Sequence, residues 1–308
     1  TGTRLEGFLG EGRLEKVQTS RRAMKADLVV LSIGIRPNTG FLADSGIELM
    51  PNKTVKVDAY FRTSDENIYA VGDCATVTNR ETGQPAWSPM GSSANIEGRL
   101  LAKTLAGGGQ PYPGVLQTAV CRLPGLNAGR TGLSQEQAKA AGYDPVSVVT
   151  VVDDKAHYYP GAGNFIVKMT ADRATGKFLG IQVLGPGAVD KMVDIAVTAL
   201  TLKASLADLE NMDLAYAPPF STAIHPFVHT VNILLNKMSG AFETMTPEEF
   251  AAGAAGEYQI VDAAVQPSLK NVPYLDLTKI DGPVDGFARD AKLLLVCTKG
   301  KRAYMVQN

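Results

Sequence analysis

The sequence predicts a multidomain fold of α/β and α+β type. Three observations carry that reading. Two apolar runs, Leu28-Val29-Val30-Leu31-Ser32-Ile33 and Ile68-Tyr69-Ala70-Val71, stop at Gly34 and Gly72, as buried strands do when they end at a βα turn. The linker Gly107-Gly108-Gly109-Gln110-Pro111-Tyr112-Pro113-Gly114 divides that half from a stretch of regularly alternating strands and helices. After Ala241 the pattern changes again, and the apolar run Leu293-Leu294-Leu295-Val296 delivers Cys297 to a loop that opens a helix.

Taken in order, residues 1–36 read as β-structure. A strand from Arg13 to Thr19 follows the turn Gly10-Glu11-Gly12, and a buried strand runs from Ala26 to Ile33. Pro37-Asn38 breaks it, and Phe41 to Gly46 is a helical turn with a glycine stop. Thr54–Val57 and Ala59–Phe61 are short extended pieces that lead to the strand Ile68–Val71 and to Gly72-Asp73. Alone, each apolar run ending in glycine also fits an ordinary βα turn. Ile96, Leu100, Leu101 and Leu105 make one face of a helix, with Ser92 or Ser93 as its N-cap and Glu97 in its first turns. Past the linker, a strand spans Leu116 to Cys121, and Ser134 caps a helix that Gly142 ends. Val146–Val152 is a buried strand, and Phe165–Met169 and Phe178–Leu184 form a hairpin around Asp172-Arg173-Ala174-Thr175-Gly176. Lys191–Lys203 is an apolar helix, Ser205 caps a short one, and Pro226 begins another that reaches Met238. Beyond it, Thr246-Pro247 starts a capped helix, and Tyr258–Asp262, Val272–Leu275 and Leu293–Val296 read as strands.

Composition narrows the function classes. At 308 residues the chain can form two or more domains with a sizeable core. A net charge of -1 offers no basic field for nucleic acid and no acidic tail. No apolar run is long enough to span a membrane. Thr1-Gly2-Thr3-Arg4 has no signal-peptide character. Cys74, Cys121 and Cys297 lie far apart, which argues against a disulfide framework, a zinc site or a local dithiol and fits a reducing cytoplasm. His225 and His229 sit one helical turn apart without the glutamate of a zinc-protease motif, so no metal is expected.

Several stretches together resemble the FAD-dependent pyridine nucleotide-disulfide oxidoreductases, in the coenzyme A-disulfide reductase and NADH oxidase branch. They are Gly34-Ile35-Arg36-Pro37-Asn38, Gly46-Ile47-Glu48, Val57-Asp58, Arg62-Thr63-Ser64, Ile68-Tyr69-Ala70-Val71-Gly72-Asp73 and Ala94-Asn95-Ile96-Glu97-Gly98-Arg99. The resemblance implies the C-terminal part of such an enzyme: the end of an NAD(P)H-binding domain at 1–36, the C-terminal part of an FAD-binding domain at 37–113, and an α+β dimerisation domain at 114–240 that makes a homodimer. In that family the aspartate matching Asp73 holds the flavin ribityl chain, and the helix at Ser93, Ala94 and Asn95 aims its N-terminus at the flavin pyrimidine ring. Gly34 and Gly72 complete the expected cofactor contacts.

Two Tyr-then-Pro loops, Tyr158-Tyr159-Pro160 and Tyr216-Ala217-Pro218, resemble loops of the coenzyme A-disulfide and polysulfide reductases, whose tyrosines orient the sulfur substrate across the dimer. That role is carried to Tyr158 and Tyr216, with Tyr159 in reserve; paired loop tyrosines are also common as plain interface residues. His225-Pro226 departs from the Asp-Pro of that branch. It resembles the His-Pro of dithiol-type reductases, whose histidine transfers a proton, although a helix-start histidine beside proline also fits. Residues 241–308 resemble a truncated rhodanese-like domain, with Cys297-Thr298-Lys299-Gly300-Lys301-Arg302 as its active loop. There the usual Val-Asp-Val-Arg is Val261-Asp262-Ala263-Ala264.

The function so implied is a reductase that passes electrons from NAD(P)H through FAD to a disulfide, persulfide or polysulfide, with coenzyme A as thiol carrier and Cys297 handling sulfane sulfur. The alternatives are an NADH oxidase or peroxidase, and a dimerisation and sulfurtransferase module without reductase activity. The chain contains neither the family's glycine fingerprints nor its redox cysteine. It reads as a fragment that is inactive alone.

Overall fold

The computed structural model describes residues 2–307; Thr1 and Asn308, the outer limits of the first and last expected domains, lie outside the described residues. The chain opens with a three-stranded antiparallel sheet of β1 (Leu5–Leu9), β2 (Lys16–Thr19) and β3 (Ala23–Lys25). The expected buried strand from Ala26 to Ile33 does not form. Residues 26–38 are irregular, and Val30 and Ile33 are 78% and 87% exposed. A strand needs a neighbour to satisfy its backbone N–H and C=O groups, and the described residues present none to this run.

A single turn of 3-10 helix at Gly40–Leu42 and the αL glycine Gly46 confirm the expected helical turn with a glycine stop. Val55 bridges Ala75 in parallel and Arg62 bridges Tyr69 antiparallel, in place of the expected strand Ile68–Val71. That strand is reduced to one bridge because Ile68 is exposed and no second strand lies beside it. Gly72–Cys74 coil into a 3-10 turn. A small hairpin, β4 (Val77–Thr78) with β5 (Pro85–Ala86), precedes α1 (Gly91–Leu105).

The core belongs to the next unit. Strands β6 (Ala119–Leu123) and β7 (Leu126–Gly132) form a hairpin, the second strand of which periodicity missed. Helix α2 (Gln135–Ala140) starts on a Ser134–Gln137 capping box, worth roughly 1 kcal/mol. Strands β8 (Pro145–Asp153), β9 (Asn164–Asp172) and β10 (Phe178–Gly185) complete a five-stranded sheet of order β6-β7-β10-β9-β8, antiparallel throughout. The alternation in β8 places Val146, Val148 and Val152 inward. Helix α3 (Val189–Thr201) lies on β7 and β10. A β-carbon on Gly129 would sit 2.7 Å from Val193, so glycine is what lets α3 come this close. Ser205 caps α4 (Leu206–Leu209) in a second capping box. Helix α5 (Pro226–Ser239), with proline in its first turn and Gly240 in αL at its end, buries Phe227, Val231 and Leu234 against β8 and β9. Burying each such side chain contributes roughly 1.5–3 kcal/mol.

The last segment holds α6 (Pro247–Ala251), then β11 (Gln259–Asp262) paired in parallel with β12 (Leu293–Val296), then α7 (Lys301–Gln307). The expected strand Val272–Leu275 is one bridge, Tyr274 to Asp262. The four residues of β12 are half-buried. Contacts tie the segments together: Lys177 Nζ donates to Glu81 Oε2 and to Tyr143 Oη, and Asn236 Nδ2 donates to Tyr304 Oη.

Candidate functional site

The expected site residues fall into three places. The first is the Gly72–Cys74 turn and the start of α1. Gly72 adopts φ +78°, with Ala94 Cβ 3.6 Å from the position a β-carbon would take. Its N–H donates to Glu97 Oε2 at 2.6 Å, fixing the turn against the helix. Asp73 turns its carboxylate to solvent while its carbonyl accepts from Trp87 Nε1 at 2.7 Å. No side chain caps α1. The expected serine cap is overturned: the helix begins at Gly91, earlier than expected, and Met90 is its N-cap. Ser93 therefore lies within the first turn, buried and bonded to Ser88 at 2.8 Å. Ala94 is half-buried and Asn95 is exposed.

Glu97 was legible only as a first-turn acid, yet it is completely buried. Its Oε1 has no partner, and burial raises its pKa, the Asp73 charge adding to the effect. Ser93 and Glu97, the buried residues of α1, lie four apart, and that spacing was the available signal that they share a face. Ile96, placed on the core face by periodicity, is 39% exposed. Burial and Glu97 push the neighbouring Tyr112 phenol up to about 12. Burial also raises the Cys74 thiol, whose Sγ lies 3.5 Å from the Val71 carbonyl, so this cysteine is held as a thiol. Gly34 has φ +91° in the exposed 26–38 segment and touches none of these groups.

The second place is where two loops meet. Tyr158 (69% exposed), Tyr159 and the edge-on His157 ring lie on the loop after β8; Tyr216 (51% exposed) lies on the loop before α5. Asp154 and Lys155 of the first loop and Phe220 and His225 of the second border one cavity of about 150 Å³. His225 is 5% exposed and is the N-cap of α5, its Nδ1 accepting the Phe227 N–H at 3.2 Å. Burial, then the Lys191 charge, lower its pKa to about 4, so the ring is neutral.

The third place is the loop between β12 and α7. Cys297 is half-buried, and Gly300 takes φ +77° to turn the chain into the helix. Lys299 Nζ stands 3.6 Å from Asp153 Oδ1, which brings the cysteine loop against the start of the Tyr158 loop. Behind it opens a largely apolar cleft of about 1790 Å³ that reaches Ile233, Phe242, Phe250 and Leu295. Neither cavity includes Gly72, Asp73 or α1. Asp262, where the rhodanese-like resemblance would put its Val-Asp-Val-Arg, does structural work. It accepts from the amides of Ala264, Ser268 and Leu269, which hold its carboxyl down at about 2. Among the described residues no cluster of metal-ligating side chains occurs, and no helix is long and apolar enough to cross a membrane.

Comparison with known proteins finds two family matches. Residues 1–93 match "Pyridine nucleotide-disulphide oxidoreductase", and residues 119–227 match the dimerisation domain of the same name. The NAD(P)H sulfur oxidoreductase (CoA-dependent) of Pyrococcus furiosus is 33% identical over 225 residues, 73% of this chain and 51% of that protein. The NADH oxidase of Methanocaldococcus jannaschii is 32% identical over 235 residues, 76% of this chain and 52% of that protein. Among solved structures, the NAD-dependent persulfide reductase of A. fulgidus superposes with a TM-score of 0.89 at 32% identity, over 99% of this chain and 57% of that one. The chain thus spans about half the length of the curated relatives it matches.

Proposed function

Residues 1–93 and 119–227 belong to the pyridine nucleotide-disulphide oxidoreductases, and from that premise we propose that this chain is the C-terminal part of an FAD- and NAD(P)H-dependent reductase of disulfide, persulfide or polysulfide sulfur. Coenzyme A is the proposed thiol carrier. The observation that carries the reading is the tie between Gly72 and Glu97, which sets Asp73 beside the uncapped start of α1. An exposed carboxylate can accept from ribityl hydroxyls, and free amides at a helix start favour the electron-rich edge of a pyrimidine ring. The residues present therefore fit a flavin. Gly72, Asp73, Ser93, Ala94 and Asn95 would hold it, with Gly34 the outlying member of the set. A bound flavin supplies the two-electron relay between nicotinamide and sulfur.

The chain's own residues then have separate tasks. Tyr158 and Tyr216 present phenols on solvent-facing loops, where each can donate a hydrogen bond to a sulfur anion or give up a proton to it. His225, neutral and with Nδ1 occupied, keeps Nε2–H as a donor and borders the cavity between these two loops, which neither tyrosine lines. Residues 114–240 form the proposed homodimer surface. It fits that Tyr158, Tyr216, Phe220 and Ile224, all large and apolar or amphipathic, lie exposed on this unit. Cys297, at the mouth of a rhodanese-like loop, is proposed to attack a sulfane sulfur as thiolate, taking the sulfur as a persulfide and releasing the carrier's thiolate. Nothing in the proposed chemistry requires a membrane or nucleic acid, and a cytoplasmic setting is proposed.

The test is NAD(P)H oxidation by the complete protein with coenzyme A disulfide or polysulfide as acceptor. Turnover with these acceptors is the expected result. Turnover supported by oxygen or peroxide alone overturns it in favour of the oxidase reading, which the Methanocaldococcus jannaschii relative favours.

A further inference from the structure

The small cavity at the meeting of the two tyrosine loops is lined by two lysines and a single carboxylate. Lys155 and Lys191 both border it, both are half-buried, and neither lies within ion-pair distance of a carboxylate. Asp154 also borders the cavity and is 5% exposed, but its Oδ1 is engaged by the Gly163 N–H at 2.7 Å. One carboxylate against two ammonium groups leaves a net positive site.

Two further features point the same way. Helix α3, thirteen residues long, opens onto the cavity at Ala188 with no side-chain cap. Its positive end faces that space, with the exposed Asp190 the acid in its first turn. Asn127 Nδ2 donates to the Gly187 carbonyl at 2.9 Å and to that of Pro186 at 3.3 Å, which pins the turn before the helix. The second feature is His225. Because Nδ1 accepts the Phe227 N–H, the ring proton sits on Nε2, which has no partner among the described residues. The residue is nineteen-twentieths buried and lines the cavity. It is a polar donor held in one tautomer by a helix cap, with nothing to donate to.

We propose that this cavity is a subsite for a tetrahedral oxyanion, held by the ammonium groups of Lys155 and Lys191 and by the Nε2–H of His225. The cavity measures about 150 Å³, well below the roughly 300–1,000 Å³ of pockets that enclose drug-sized ligands. One phosphate- or sulfate-sized group fits and a whole nucleotide does not. That group is either a free inorganic anion or the terminal phosphate of a larger carrier whose remainder stays outside. The assignment stands on this cavity alone and does not depend on the reductase reading.

Sulfate is the probe, since its charge does not change between pH 5 and 8. Sulfate also stabilises proteins generally by exclusion from their surface, so the comparison is with two variants and with chloride at matched ionic strength. Thermal stability of this chain is expected to rise saturably with sulfate. In Lys191→Met and Lys155→Met the midpoint of that rise moves to at least tenfold higher sulfate. The His225 Nε2 and Hε1 resonances of the unmodified protein shift along the same binding curve. Adenosine 3′,5′-bisphosphate separates the sources: binding tighter than sulfate identifies a phosphorylated carrier, and equal or weaker binding a free anion. If chloride reproduces the effect, or if folded Lys191→Met and Lys155→Met respond as the unmodified protein does, the proposal fails. Should both variants prove unfolded by circular dichroism, the His225 resonances decide, and their indifference to sulfate overturns it.

Discussion

Glu97 Oε2 accepts the Gly72 backbone N–H at 2.6 Å, joining the helix α1 to a turn 25 residues earlier in the chain. The carboxyl is wholly buried and its pKa is raised, first by burial. Its folded value therefore lies above its unfolded one. The stability this implies is fully present below the unfolded value and is lost as pH rises through the folded value. Glu97→Gln keeps an acceptor for Gly72 and cannot ionise. Thermal unfolding followed from pH 4 to 8 should show the variant more stable at neutral pH, by on the order of 1 kcal/mol, with a flatter profile. A variant with an unchanged profile would mean that Glu97 is not the titrating group.

His225 behaves in the opposite sense. Its folded pKa is lowered from 6.5 to about 4. Its contribution is present above 6.5 and declines as pH falls through 6.5 toward 4. Histidine resonances titrated by NMR should show His225 still neutral at pH 5. His225→Asn retains a capping oxygen and should lose this acid sensitivity, whereas His225→Leu should in addition lose the cap, at a cost of about 1 kcal/mol. His229, whose pKa is likewise lowered by burial, is resolved from it by the same titration.

Phe227 is 0% exposed and meets Phe178 edge-on, with ring centroids 6.0 Å apart. Phe227→Ala removes a ring that joins α5 to the sheet. Denaturant unfolding should register a loss of about 3–5 kcal/mol, the largest single effect among the substitutions considered.

Tyr158→Phe and Tyr216→Phe should leave stability within about 0.5 kcal/mol, because both rings are exposed and neither hydroxyl is buried. If these phenols serve the sulfur substrate, kcat of the complete enzyme on a sulfur acceptor should fall by roughly 10²-fold or more. Unchanged kcat in both would assign the tyrosines to the interface alone.

Asp262 accepts three backbone amides and the Ser268 hydroxyl. Asp262→Ala should speed amide exchange at Ala264, Ser268 and Leu269 by about tenfold, with Gly129 on β7 as an unaffected reference.

Elements with a strong local signal were legible in the sequence. The Ser134 and Ser205 caps, the Asp172–Gly176 hairpin turn, and the proline start of α5 each rest on short-range chemistry, and each is found where it was expected. The Gly72-Asp73 stretch stood out as a glycine ending an apolar run beside an acid, and Gly72 takes a positive φ there.

What sequence could not settle depended on neighbours. Leu28 to Ile33 has the composition of a buried strand, but a strand exists only against another, so this run lies exposed. Ile96 and Glu97 exchange their expected places because helix register is decided by what the helix packs on, here the Gly72 turn. His225 was visible as a residue, but its tautomer and neutrality follow from a cap, a lysine on another helix and burial between two loops. The sequence alone therefore carried the family resemblance, most of the local turns and caps, and the identities of the chemical groups. Tertiary structure decided which of those groups face each other and which are withdrawn from water, because hydrogen-bond partners and desolvation come from residues distant in the chain.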